Sequence, residues 1–310
     1  MPHSGIAGAK QGWVHGRRMA LFLTLCLISR FAYSVNDILV GRLARLHSKV
    51  EVASWRGVSL GLTMAPWLFL VPAAAWRSIT AEWVDVLILI PVTAAANLMQ
   101  LNAARYMPFG VRAAFLISGV AAFSGMLGWA VLGERLTAAE IALSVVVVVS
   151  VVLSSLGAHA EHEFKPDIRR GALFAIGASI LLACMGLMVA RLSRATHPLL
   201  TAWVWEFGGG LILVFPLLLR YARDGVPADL AGRVRAIAVA SSPTAVGSGF
   251  AAIALTLGPL GLSAAVAGTQ VLFTAALGAL WHRELIGPRR WTCFAVAAAA
   301  VGALGWAGSL

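Results

Sequence analysis

Arg30, Tyr33, Ser34 and Asp37 stand inside one apolar run at i, i+3, i+4 and i+7, the spacing that puts all four on one face of a helix. A guanidinium, a phenol, a hydroxyl and a carboxylate on one stripe can bind an anion, pass a proton, or do both. Such a stripe either faces a cavity or closes on itself as an Arg30–Asp37 network that only fixes helix packing. Glu206, in the segment AWVWEFGGG, and Arg56, in SWRG, are a further acid and base in apolar surroundings. Burial would raise the Glu206 pKa and make it a proton carrier, whereas a nearby arginine would lower it and make it a structural partner. Either residue can also snorkel to an interface. Uncharged polar faces follow: Thr93, Asn97 and Gln100 at i, i+4 and i+7, and Ser241, Thr244 and Ser248 at the same rhythm. Ser118, Thr269 and Gln270 extend this polar lining, although small hydroxyl residues also glue helices together in lipid. Trp203 and Trp205 are expected in an interfacial aromatic belt more than in a binding site.

Enzyme chemistry finds little support in these residue types. His162-Glu163 lacks a second histidine at the spacing a zinc-protease helix needs. His159, Glu161 and His162 read as a solvated loop, not a metal site. No histidine lies deep in a run to activate Ser248, and no phosphate-binding Gly-rich loop is present for ATP. The expectation is a protein without catalytic residues, metal or cofactor.

The elements that must carry these side chains are set by composition. The chain has 310 residues, 60% hydrophobic and only 12% charged, about half the charge of a soluble domain. Such a sequence cannot cover a surface facing water, so its solvent is lipid. The three cysteines fall in apolar runs and read as small hydrophobes. The net charge of +11 lies mostly in short segments between apolar runs, where it sets topology and meets anionic headgroups instead of nucleic acid. Ten runs qualify against the roughly 20 residues a spanning helix needs: 19–41, 53–75, 83–104, 108–132, 137–157, 170–190, 198–220, 236–256, 260–281 and 291–309.

The runs fall into two fives around the charged segment HAEHEFKPDIRRG. Pro108-Phe109-Gly110 recurs as Pro259-Leu260-Gly261, PVTAAAN as SPTAVGS, and VGRLAR as VARLSR, all at a nearly constant offset. That register pairs Thr93 with Thr244, Asn97 with Ser248, Ser118 with Thr269, Arg56 with Glu206, and Glu134 with Glu284. Five crossings is an odd number, so the second half must run opposite to the first. The expected architecture is all-α, with residues 1–18 a polar basic N-terminal segment, 19–157 a first five-helix repeat, 158–170 a charged linker and 171–310 a second, inverted repeat. Inverted repeats are the usual basis of alternating access to a midplane site.

With its paired junctions Leu132-Gly133-Glu134-Arg135-Leu136 and His282-Arg283-Glu284-Leu285, its Pro-Phe-Gly and Pro-Leu-Gly span starts, and its two fives, the chain resembles the drug/metabolite transporter superfamily, within it the EamA-like exporters. The resemblance implies export of small metabolites, amino acids or drugs, often by proton exchange, from a bacterial inner membrane with both termini cytoplasmic. Where the family often has a proline about 14 residues before the junction glutamate, this chain has Gly119 or Val120 and Gln270. The Lys and Arg count argues against that orientation: the side opposite the termini holds about twice as many. Expected partners are a small-molecule substrate and membrane lipids, with the protein a monomer or homodimer. A lipid-linked flippase and a non-transporting scaffold are the alternatives.

Overall fold

The computed structural model describes residues 4–106, 109–155, 167–282 and 287–307, all of whose regular structure is helical. The first half comprises α1 (Ser4–Leu46), α2 (Lys49–Met64), a 3-10 turn (Ala65–Leu70), α3 (Ala73–Ala81), α4 (Trp83–Tyr106), α5 (Phe109–Leu132) and α6 (Ala138–Ser155). The second comprises α7 (Ile168–Ala195), α8 (Pro198–Leu211), α9 (Val214–Asp224), α10 (Leu230–Leu257), α11 (Leu260–Val266), α12 (Thr269–His282) and α13 (Pro288–Ala307). Exposed Leu21, Ile28, Phe31, Leu62, Phe69, Leu87 and Trp129 make an apolar exterior that suits lipid.

Among the described residues the ten runs do not all appear as single long helices. Among the described residues six helices are long and apolar enough to cross a membrane, and α2 with its bent continuation would be a seventh. Residues 138–150, 260–274 and 291–301 are shorter apolar helices. The run 53–75 breaks because Pro66 and Pro72 cannot donate to a helical ladder. The chain leaves the 3-10 turn extended at Val71 and Pro72, and α3 departs at 120°. The run 260–281 divides at Ala267-Gly268, and 198–220 at Ile212-Leu213. At the other extreme, α1 starts at Ser4, so the run 19–41 is the middle of one longer helix.

The helices pack in a reciprocal pattern. α1 lies along α10, and α7 lies along α4; α5 packs on α7, and α12 on α1. α2 meets α8, and α6 meets α13. The central core joins Leu60 and Met64 of α2, Leu89 of α4, Leu187 and Leu192 of α7, Trp205 of α8, Leu255 of α10 and Leu260 of α11.

Local signals set the helix ends. Gly133 closes α5 with φ of +65°, the left-handed geometry that glycine adopts without strain. Thr137 and Glu140 then form a reciprocal cap. The Glu140 carboxylate accepts from the Thr137 backbone N–H at 2.7 Å, and the Thr137 hydroxyl accepts from the Glu140 N–H at 3.2 Å.

Candidate functional site

The crossing of α2 and α8 places the central acid and base. A methyl group on Gly57 would stand 2.4 Å from the Gly210 Cα and 2.7 Å from the Glu206 carbonyl oxygen, so only glycines permit this backbone approach. At that depth Arg56 and Glu206 face each other, Nη1 to Oε2 at 3.1 Å, with side chains 14% and 1% exposed. Snorkelling is thereby replaced by pairing. The guanidinium is in ion-pair range but off the hydrogen-bond direction, which leaves Glu206 Oε2 with an unused acceptor site.

The other carboxylate oxygen accepts from Ser248 Oγ on α10 at 2.5 Å. Ser248 in turn lies 2.8 Å from Tyr33 Oη on α1. Ser248 has a single hydroxyl proton and gives it to Glu206, so Tyr33 must be the donor to Ser248. A continuous polar chain thus runs Tyr33, Ser248, Glu206, Arg56 across four helices. Arg30 stands beside it, its guanidinium carbon 5.5 Å from the centre of the Tyr33 ring.

One turn farther along α1, Asp37 accepts from Gln270 Nε2 at 2.7 Å, and Ser34 Oγ donates to the Gln270 carbonyl at 2.8 Å. The sequence offers Arg30 as one partner for Asp37, and the structure adds Gln270. The i+7 spacing places both on one face but leaves them about 10 Å apart along the axis, and Gln270 reaches Asp37 from α12.

Residues 169–306 match the model of the EamA-like transporter family. Over those residues the second half of the chain is similar to that family. A crystal structure described only as "Crystal structure of protein" has the same fold at 14% identity, covering 91% of this chain and 95% of its own, with a TM-score of 0.66. In all, 28 solved chains match, whereas no curated protein does. Its apolar helices mark an integral membrane protein; the EamA-like half supplies Glu206, Ser248 and Gln270 to the polar cluster, and the first half supplies Arg30, Tyr33, Asp37 and Arg56.

The remaining candidates divide. Thr93 and Thr244 are both buried, and neither hydroxyl has a partner among the described residues; Ser241 is the same. Thr93 packs on the glycine run of α8, where a methyl on Gly209 would meet its Cγ2 at 2.6 Å. Asn97 and Gln100 continue that face of α4, half-buried. Thr269 donates to the Val266 carbonyl at the break between α11 and α12 and serves that turn. Trp205 is 6% exposed within the central core, and so belongs to neither an interfacial belt nor the polar chain. Trp203 donates to the Gly61 carbonyl at 3.0 Å and packs on Phe207. The Ser118 side chain lies outside the described residues, as do Glu284 and the linker histidines.

Sequence reasoning missed the partner of Glu134. Arg194, at the end of α7, donates to Glu134 Oε1 at 2.8 Å, and the Leu260 N–H that opens α11 donates to Oε2 at 2.7 Å. Arg194 also donates to the Leu255 and Gly258 carbonyls at the end of α10. One carboxylate and one guanidinium thus tie four helix ends together at one face of the bundle. The signal was in the repeat: Arg194 is the last residue of the VARLSR segment that set the register.

Proposed function

We propose that this protein is a secondary transporter that carries a small polar solute across the membrane by alternating access, with ten crossings in two inverted five-helix halves. The observation that carries the reading is the buried chain Tyr33–Ser248–Glu206–Arg56, in which each half contributes two members. Ionisable groups at this depth are retained where a solute or ion passes. The reciprocal packing supports the inverted repeat: exchanging each helix for its counterpart turns α1–α10 into α7–α4 and maps α2–α8 onto itself. Arg56 and Glu206, equivalent by repeat register, then meet on the pseudo-twofold axis. In this reading Glu206 is the residue that exchanges a proton, and Arg56 is its partner between turnovers. The Glu134–Arg194 tie closes the face nearer the termini, and export from the cytoplasm of a bacterial inner membrane follows the family pattern.

The test is reconstitution. Purified protein in proteoliposomes, offered amino acids, organic cations and sugars with and without a proton gradient, should move at least one class, faster with the gradient. Absence of flux for every class overturns the reading.

A lipid-linked flippase is the second reading, favoured by one feature. A 780 Å³ groove runs between α5, α6 and α11, lined by Met126, Trp129, Ile141 and Val145, with Glu134 and Arg135 also in its wall. Acyl-chain scrambling in the same vesicles separates the two.

A further inference from the structure

We infer that the groove between α5, α6 and α11 is a resident site for one anionic phospholipid, its phosphate held by Arg135 and one acyl chain lying along α5. Such a site stands whatever solute the protein carries. The groove has a volume of 780 Å³. It opens at the junction after α5, where Glu134 and Arg135 stand in its wall, and runs inward to Ala121 on α5 and Val149 on α6. Leu132, the last residue of α5, is eleven residues from Ala121, and eleven helical rises make about 16 Å. That is roughly half of a ~30 Å hydrocarbon core. The groove is therefore one leaflet deep. A path across the bilayer needs both leaflets, whereas a lipid resting in its own leaflet needs one.

The walls match a phospholipid in chemistry as well as in depth. Met126, Trp129, Ile141 and Val145 are exposed along the groove and give an acyl chain an apolar bed. Gly261 and Ala265 of α11 form its floor. A methyl on Gly261 would stand 3.1 Å from the Gly125 Cα, so α5 and α11 meet there and close the bottom. Two polar groups break this lining. Arg135 is exposed at the mouth and has no carboxylate partner among the described residues. Ser144, in the same wall, has a buried Oγ with no hydrogen-bond partner among them. Hydrocarbon satisfies neither. A phosphodiester accepts from the guanidinium and an ester carbonyl accepts from the hydroxyl, and a phospholipid carries both above its chains.

The acids nearby do not cancel the attraction of Arg135. Glu134 uses both oxygens within the protein, Oε1 on Arg194 at 2.8 Å and Oε2 on the Leu260 N–H at 2.7 Å. Glu140 turns its carboxylate to the Thr137 N–H and hydroxyl in the cap of α6. Of the two ionic side chains that line the groove, Arg135 is thus the one left for a ligand. A zwitterionic headgroup brings a second cation beside it, whereas a monoanionic headgroup does not. The site therefore favours phosphatidylglycerol over phosphatidylcholine of the same chains.

Trp129 lies in the groove wall and can report its occupant. Full-length protein is placed in phosphatidylcholine vesicles doped with either phosphatidylglycerol or phosphatidylcholine brominated on the acyl chains. Tryptophan quenching is compared between the wild type and Trp129→Phe, and the difference is the Trp129 signal. Brominated phosphatidylglycerol should quench it at a mole fraction about fivefold lower than brominated phosphatidylcholine, the preference that one interfacial arginine gives. Arg135→Gln should bring the two lipids level, and Arg135→Lys should keep most of the preference. High salt should weaken the preference of the wild type, a measurement that still decides if Arg135→Gln does not fold. Glycerophosphoglycerol, the headgroup without chains, should not displace the lipid. Equal quenching by the two lipids, a preference that survives Arg135→Gln or high salt, or displacement by glycerophosphoglycerol each overturns the proposal. So does shielding of Trp129 from both lipids in a protein that cross-links as a dimer, which would assign the groove to a second copy of the chain.

Discussion

Glu206 and Arg56 depend on one another more than on anything else within reach. Removing one member of a buried ion pair costs about 3–5 kcal/mol because the survivor keeps its desolvation penalty, whereas replacing both by apolar groups is often neutral. Arg56→Leu should therefore lower stability by roughly 3 kcal/mol, read as a fall in thermal midpoint, and Arg56→Leu with Glu206→Leu should restore most of it. A double variant as unstable as the single one would show that the pair is not the coupled unit. Glu206→Gln keeps the shape and the Ser248 contact but has no proton to exchange; flux should persist in reduced form and lose its response to a proton gradient. Unchanged coupling would place the proton elsewhere. At this scale the sequence was informative where the repeat was: its register set Arg56 against Glu206 before any contact was known. It was silent where contact depends on another helix's reach. Nothing in the spacing of Arg30 and Asp37 reveals that Gln270 arrives from α12 to claim the acid.

The α2–α8 crossing shows how an element can decide a site it does not chemically join. Gly57 and Gly210 contribute no functional group, yet their backbone contact sets how closely Arg56 approaches Glu206. Gly210→Val should drive the two helices apart, destabilise the protein by about 1–3 kcal/mol as overpacking does, and reduce flux more than stability alone explains. Flux and midpoint falling in strict proportion would argue for a packing role only. Helix ends follow simpler rules. Glu140 and Thr137 satisfy α6 by a cap legible as Thr-x-x-Glu, and Gly133 was legible as a stop. The bend after α2 was less so. Its apolar run continues through Pro72, and only the loss of backbone donors at Pro66 and Pro72 turns the chain by 120°.

For the whole molecule, the proposed alternating access requires the face tied by Glu134 and Arg194 to open during each cycle. In a background lacking Cys26, Cys184 and Cys293, Glu134→Cys with Arg194→Cys joined by a short bis-methanethiosulfonate should arrest flux, and reduction should restore it. Transport that continues through the cross-link would mean this face never opens. The Val71–Ala81 segment adds something the exchange of halves does not predict. Ideal halves would make the two orientations mirror partners of equal energy. Here Val71, Ala75 and Ile79 pack on Leu200 at the start of α8, and Trp76 meets Trp203 edge to face at 6.5 Å. Where the second half makes the corresponding passage, it turns through Gly225 and Asp229 with only residues 225–229 between α9 and α10. A latch on one face alone biases the resting population, tenfold for every ~1.4 kcal/mol of difference between the two states. Trp76→Ala should shift the unliganded protein toward the orientation open at that face, seen as faster thiol labelling there without any change in what is carried. Under the proposed alternating access, the paired halves would supply two states, and this short unrepeated segment would set which one is held at rest.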